Sequence, residues 1–209
     1  MLKLLLLFFV ITLTLTLPAQ PTFQGQITYL LKYHFKKRTA YIVQYPARQI
    51  RFIIKDGNFI LLMDSAQDYE YQYFDRNRKK QYWKLKNYDT LLYEPITGAG
   101  DTVDRIISTQ NLQHVDTVLG RVCNRFVLRT KSMKLSLSYD PSISVDPSWF
   151  RDATLNSMDL VYGTMKSMYL RMVWETNDFI ETATASKIER RLVLPNEFPQ
   201  VDAMPKRPI

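Results

Sequence analysis

The sequence predicts a mainly β (α+β) fold, built as an antiparallel sheet with one main helical insertion. Hydrophobic and polar residues alternate with period two over much of the chain, and short polar turns separate the alternating segments. The chain has 13 Tyr, 11 Phe and 3 Trp but only 6 Gly, a composition that favours strands with aromatic faces. Strands joined by short turns are typical of an antiparallel meander rather than of βαβ units.

Length and composition indicate a single globular domain. The 209 residues are 46% hydrophobic and 23% charged, which excludes wholesale disorder and collagen-like repeats. One cysteine excludes an internal disulfide framework and a cysteine-based zinc cluster. With only two histidines, a histidine-rich metal site is not expected, and no cofactor is predicted.

Residues 1–19 have the pattern of a signal peptide. Lys3 gives a positive start, residues 4–17 are an uncharged apolar run, and Pro18 and Ala19 precede the expected cut before Gln20. The run would form a helix of about 21 Å, shorter than the roughly 30 Å core of a bilayer. We therefore expect a periplasmic or otherwise exported protein without a transmembrane span after cleavage. An uncleaved N-terminal anchor is the alternative.

Alternation predicts the strands in order, and turn residues predict their ends. The predicted strands are residues 26–33, 40–45, 49–55, 59–63, 69–74, 81–85, 122–129, 133–139, 168–175 and 179–191. Asp56-Gly57-Asn58 and the polar run 75–80 are predicted hairpin turns, and 95–100 is a predicted loop.

The predicted helix covers residues 148–163, where apolar residues recur at a spacing of three to four and Gly163 is expected to cap the end. Asp140-Pro141 and Asp146-Pro147 are expected to end the strand before it. Residues 20–194 are thus one β-rich domain, and residues 195–209, with four prolines, form an extended tail that wraps it.

Several short segments occur in an order shared with one group of exported proteins. They are Phe23-Gln24-Gly25-Gln26-Ile27-Thr28-Tyr29, Thr117-Val118-Leu119-Gly120 with Val122-Cys123, Pro147-Ser148-Trp149-Phe150, Gly163 before Met168-Tyr169-Leu170-Arg171-Met172, Ala183 to Ile188 and Glu197-Phe198-Pro199. The chain resembles the exported GLPGLI and DUF4412-type proteins of Bacteroidetes, which are distantly similar to the lipoprotein-carrier (LolA-like) fold. The resemblance implies a curved, half-barrel-like antiparallel sheet covered on its concave side by helix and loops. It implies no catalytic residues.

The residue types that could support catalysis have simpler explanations. Cys123 and His114 would form a nucleophile and base only if the fold brought them together, and the apolar neighbours of Cys123 favour a buried, inert thiol. The carboxylate pairs Asp64 with Asp68 and Asp101 with Asp104 flank turns, where carboxylates are normally solvated. We therefore predict that the protein is not an enzyme.

An aromatic and methionine stripe is the candidate binding feature. Its members are Tyr29, Tyr33, Tyr69, Tyr71, Tyr73, Trp83, Met172 and Trp174. On the inner face of a curved sheet they would line a pocket for an apolar ligand, and the alternative is that they are ordinary core. The basic segments 36–38 and 76–86 indicate solvated hairpin tips or contact with anionic head groups or polysaccharide, and not nucleic acid.

The predicted function is therefore non-catalytic binding of an apolar or amphipathic envelope molecule, such as a lipid or a lipoprotein acyl chain. The alternative is a structural or interaction module that docks to another envelope protein and has no internal ligand. The first hypothesis needs an internal cavity, whereas the second predicts a filled interior.

Overall fold

The structure is a computed structural model that describes residues 21–36, 48–64, 69–97 and 104–209. The predicted signal peptide and the predicted strand 40–45 lie outside these ranges. Within them, one open, curved sheet of twelve strands carries a single α-helix. The strands in chain order are β1 (Gly25–Phe35), β2 (Gln49–Lys55), β3 (Asn58–Met63), β4 (Tyr69–Asp75), β5 (Lys80–Leu85), β6 (Leu91–Pro95), β7 (Ile106–Val118), β8 (Arg121–Thr130), β9 (Met133–Ser144), β10 (Ser167–Thr176), β11 (Phe179–Arg190) and β12 (Lys206–Pro208).

The sheet joins two antiparallel meanders, one made of β1–β6 and the other of β7–β11. Its strand order is β12-β6-β5-β4-β3-β2-β1-β11-β10-β9-β8-β7, so the first and last long strands of the chain pair at the junction, β1 with β11. Every pair is antiparallel except β12 with β6, which is parallel. The predicted fold class is confirmed, and the C-terminal strand makes the antiparallel sheet a mixed one.

Turn chemistry explains the β2–β3 hairpin. Asp56 and Gly57 have φ angles of 50° and 80°, the left-handed backbone that suits a two-residue hairpin turn. A Cβ on Gly57 would lie 2.7 Å from the Trp149 side chain, so glycine is required there both by its φ angle and by the close approach of the helical insertion. The predicted hairpins β2–β3 and β4–β5 are confirmed, and the predicted strands 168–175 and 179–191 pair as the hairpin β10–β11.

The α-helix of the insertion is shorter than predicted and begins later, because two 3₁₀ turns occupy the first part of the predicted range. A 3₁₀ turn (Pro147–Phe150) begins after Asp146, whose carboxylate accepts a hydrogen bond from the Ser148 N–H, and a second 3₁₀ turn (Leu155–Ser157) leads into α1 (Met158–Met165). Gly163 lies inside α1 rather than capping it. The left-handed residue that ends the helix is Lys166, whose N–H donates to the Tyr162 carbonyl.

Asp140-Pro141 does not end β9 as predicted. The strand continues to Ser144. Proline is tolerated in a strand where its missing N–H is not needed for a ladder hydrogen bond, and the pairing of β9 with β10 has register shifts at this point. Within the described ranges no helix is long and apolar enough to cross a membrane.

The main core lies on the face of the sheet that the insertion covers. Phe150 and Tyr162 stack with ring centroids 4.0 Å apart, and Phe150 also contacts Phe74 of β4 at 5.9 Å. The same cluster contains Phe126 of β8. In a flat sheet β4 and β8 would lie roughly 34 Å apart, because neighbouring strands are about 4.8 Å apart. The sheet therefore curls around this core, and the insertion lies on its concave side.

A second core lies on the convex face. Cross-strand neighbours Ile53, Ile60, Tyr73 and Tyr82 form a ladder from β2 to β5. Residues 195–209 cover this ladder with two 3₁₀ turns (Pro195–Glu197 and Val201–Ala203) and β12, and Phe198 contacts Tyr73 at 5.7 Å between ring centroids. The first half of the sheet is thus buried on both faces.

We predict that Phe150→Ala lowers the free energy of unfolding by about 3–5 kcal/mol, since it leaves a cavity beneath the insertion. Urea unfolding measures the change. Leu192→Ala is the control: this side chain is 70% exposed, and its loss should cost less than about 0.5 kcal/mol. Equal losses in the two variants would contradict the central place of Phe150 in the core.

Candidate functional site

A cavity of 420 Å³ lies on the concave face. Its lining comes from seven adjacent strands, β4 through β1 to β9, and from the second 3₁₀ turn of the insertion. The lining residues are Tyr29, Tyr33, Ile50, Leu61, Met63, Gln72, Met133, Leu135, Asn156, Tyr169, Met172, Trp174, Glu181 and Ala183. Both meanders contribute to the walls, so the cavity is a product of the β1–β11 junction.

Small residues at the junction leave the space open. Ala183 and Ala185 are buried on the inner face of β11, where larger side chains would fill the curve. Ala183 lies opposite Leu31 of β1 and Met172 of β10. Because the side chains of a strand alternate between faces, Met172 and Trp174 point to the same side as Ala183 and form part of the wall.

The insertion supplies one polar wall residue. Asn156 has φ 53°, a left-handed conformation that asparagine adopts more readily than most residues. The Leu155 N–H donates to the carbonyl of Ile96 at 3.2 Å, which fixes the turn to the chain that follows β6. Asn156 therefore reaches the cavity from a segment tied to the sheet.

Tyr29 lines the cavity and is held in place by contacts with Tyr169. Its ring is fully buried and lies 5.2 Å from the Tyr169 ring, and its hydroxyl donates to the Tyr169 carbonyl at 2.7 Å. Burial raises the pKa of the Tyr29 phenol well above its ordinary value, so it stays a neutral donor.

One row of polar side chains crosses the otherwise apolar wall. Glu181 of β11 pairs with Tyr33 of β1 on one side and Trp174 of β10 on the other. Burial raises the pKa of the Glu181 carboxyl from 4.5 to about 7, and no hydrogen bond or ion pair from the described residues compensates it. Glu181 is half-buried, whereas the Trp174 Nε1–H is fully buried and has no hydrogen-bond partner among the described residues. Such an unsatisfied buried polar group is costly, and the described residues contain two more outside the cavity lining, the Gln81 Oε1 and the Ser144 Oγ.

Four of the predicted binding residues line the cavity: Tyr29, Tyr33, Met172 and Trp174. Tyr71 and Tyr73 belong to the convex core instead, since they alternate with Gln72, which is the β4 residue that reaches the cavity.

The other two predicted residues lie away from the lining. Tyr69 is 40% exposed at the start of β4. Trp83 pairs with Gln72 and shares its face of the sheet, but lies outside the lining.

Sequence reasoning missed Glu181, Gln72, Asn156 and Ala183. A signal for Glu181 was present, because it shares strand parity with Ala183 and Ala185 and is thus a charged residue on an apolar face. Asn156 could not be found in this way, since its position depends on the path of the insertion.

The groups considered above for catalysis make structural contacts instead. Cys123 is buried with its Sγ 3.4 Å from the Arg121 carbonyl, and burial raises its pKa. Within the described residues no hydrogen bond joins it to His114, whose N–H donates to Asn124 at a bulge of β7. Asp104 accepts hydrogen bonds from Ser132 and Thr130, which lower its pKa to about 2.

The Asp64 carboxylate likewise has a structural role, because it accepts hydrogen bonds from the backbone N–H groups of Arg48 and Gln49. Asp68 and Asp101 lie outside the described residues.

The basic β4–β5 tip is fixed by ion pairs. Arg78 pairs with Asp75 at 2.8 Å and with Asp202 of the tail, and Lys79 pairs with Asp152 of the insertion at 2.6 Å. The tip therefore joins the tail and the insertion to the sheet, and its charges do not line the cavity.

No protein-family profile and no curated protein matches the sequence. The family resemblance to GLPGLI and DUF4412-type proteins therefore stays an expectation, whereas the curved sheet that it implied is present.

Solved structures give a fold-level match. An uncharacterized conserved protein from Thermus thermophilus is similar with a TM-score of 0.50 and 8% identity, over 89% of this chain and 91% of that one. This likeness is one of fold. Lipoprotein LppX of Mycobacterium tuberculosis (6% identity, 80% and 90% coverage) and LprF from Mycobacterium bovis (11% identity, 83% and 89% coverage) align with a TM-score of 0.34, too low to support a functional argument.

We predict that Glu181→Gln stabilises the protein increasingly as pH rises from about 4.5 to about 8. The raised pKa means that the folded state holds a proton that the unfolded state releases, so wild-type stability falls over this window. Each pKa unit corresponds to about 1.4 kcal/mol, so the difference approaches 3 kcal/mol and is lowered by partial solvent screening of this incompletely buried group. Urea unfolding at several pH values measures it. A variant-to-wild-type difference that does not change with pH would contradict the perturbed carboxyl.

Proposed function

We propose that this protein is an exported, non-catalytic binding protein that holds an apolar or amphipathic envelope molecule, such as a lipid or a lipoprotein acyl chain, in the concave cavity. The observation that carries the proposal is the cavity itself. Its volume of 420 Å³ falls within the roughly 300–1,000 Å³ of small-molecule sites, and most of its lining is aromatic, aliphatic or methionine. The export step rests on the predicted signal peptide.

Burial supplies the affinity. Each CH₂ group removed from water contributes about 0.8 kcal/mol, so a chain of several methylenes can bind without many polar contacts. The methionines Met63, Met133 and Met172 suit this role, because an unbranched thioether side chain adapts to ligands of different shape. The mechanism needs no bond-making or bond-breaking group.

The alternative, a module that docks to another envelope protein, predicted a filled interior. An unfilled space between Ala183 and the insertion favours ligand binding over that alternative.

We predict that Ala183→Leu weakens the binding of an apolar fluorescent probe, N-phenyl-1-naphthylamine, at least tenfold. The added side chain would occupy the cavity where the two meanders meet. Fluorescence titration measures the affinity. Thr182→Leu is the matched control, because Thr182 faces the opposite side of the same strand and should leave binding unchanged. If both variants bind the probe like wild type, the cavity is not the site.

We also predict that the protein purified from its native envelope releases a stoichiometric lipid on organic extraction. Mass spectrometry of the extract identifies the lipid, and the intact mass tests cleavage before Gln20. An extract without lipid, from protein that also fails to bind the probe, would favour the docking module.

A further inference from the structure

A carboxylate without a nearby cation lies in the wall of the cavity. Glu181 is half-buried on β11 and is one of the lining residues, and its carboxyl has no hydrogen bond or ion pair among the described residues. Asp116 shows the usual arrangement, because Arg171 and Arg125 lie 2.8 Å and 3.3 Å from its carboxylate oxygens. A carboxylate that loses part of its hydration normally has such a partner. At Glu181 a ligand can supply the missing cation.

The charges around Glu181 have one sign. Tyr33 on β1 and Tyr169 on β10 are the titratable groups that face it, and burial together with the Glu181 charge raises the pKa of both phenols. Asp64, at the end of β3, adds a negative charge close to Tyr33. The other described lining residues, from the strands and from the insertion, are uncharged, and no lysine, arginine or histidine is among them. The ionised carboxylate therefore attracts a cation and repels an anion.

Aromatic rings lie beside the carboxylate. Glu181 is directly paired with Tyr33 of β1 and with Trp174 of β10, and paired side chains on neighbouring strands have Cβ atoms about 5 Å apart. Because the Trp174 Nε1–H is buried, the part of this ring that a ligand can touch is carbon. The faces of tyrosine and tryptophan rings attract an ammonium within about 6 Å of the ring centroid. A cation bound to the Glu181 carboxylate thus has two such rings nearby.

We propose that Glu181 is the head-group site of the cavity and that the protein selects amphipathic ligands with a protonated amine head over those with a neutral or an anionic head. This inference rests on the proposed function and adds the class of ligand. In the complex the ammonium donates to the Glu181 carboxylate beside Tyr33 and Trp174, and the apolar chain lies along Met172 and Leu135.

Desolvation does not cancel this preference. Folding has already removed part of the water around Glu181, so the ligand does not bear that cost again. The side chain is only half-buried, so the bound ammonium keeps part of its own hydration. A charge-assisted hydrogen bond contributes more than a neutral one, and an amine head therefore gains more at this position than a hydroxyl does.

Competing ligands of one chain length test the proposal. Decylamine, decanol and decanoate, each below its aggregation concentration, displace N-phenyl-1-naphthylamine from the full mature chain at a pH of about 8. At this pH a carboxyl with a pKa of about 7 is mostly ionised and an alkylamine is still protonated. We expect decylamine to bind at least tenfold more tightly than decanol, and decanol more tightly than decanoate.

One variant and a change of pH assign the preference to Glu181. Glu181→Gln keeps the shape of the side chain but removes its charge, so it should lower the ratio of decylamine affinity to decanol affinity about tenfold. Glu189→Gln is the matched control on the same strand, outside the cavity lining, and should keep the wild-type ratio. Lowering the pH to about 5.5 protonates Glu181 and should also lower the wild-type ratio, but not that of Glu181→Gln.

The outcomes separate this inference from the proposed function. If the probe binds but decylamine has no advantage over decanol, or if Glu181→Gln keeps that advantage, the head-group site is refuted and the binding cavity stands. An advantage lost equally in Glu189→Gln would overturn the assignment to Glu181. If neither the probe nor any competitor binds, the proposed function fails and the inference fails with it.

Discussion

Pairing between β1 and β11 is the constraint on which the rest of the molecule depends. It joins the first and last long strands of the domain, over positions from Gly25 with Arg190 to Phe35 with Phe179. The meanders on either side are local structures that neighbouring turns can form, but the concave core and its cavity exist only after this long-range pair has closed. Closing so long a loop is entropically costly, and burial of the aromatic core around Phe150 offsets that cost.

The junction also explains why an open, mostly apolar cleft persists on the concave face of the sheet. Ala183 and Ala185 are small buried residues on the inner face of β11, and Asn156 of the insertion contributes to the lining of the cleft. Glu181 lies on the same face as these alanines, so the carboxyl found among the described lining residues lies where the two meanders meet.

The local parts of this structure could be predicted from the sequence, and the non-local parts could not. Alternation and turn residues such as Asp56 and Gly57 identified most strands, because these signals act over a few residues. The strand β7 was not predicted at all, since nearly all its side chains are exposed and no alternation results. Tyr71 and Tyr73 were correctly placed on one face, but tail and insertion bury both faces of β4, so the pattern could not show which face is concave.

The two edges of the sheet are unlike each other. On one side β6 is covered by the parallel strand β12, a three-residue segment that contains Pro208 and follows Pro205, and so offers few backbone donors to a further strand. On the other side β7, with thirteen residues, has no neighbour beyond it in the part of the chain that the structure describes. Among the described strands, β7 is therefore the edge that offers the longer row of backbone groups to a further strand. Two copies joined through β7 would form a closed pair, and growth into a fibre would stop at the proline-blocked edge.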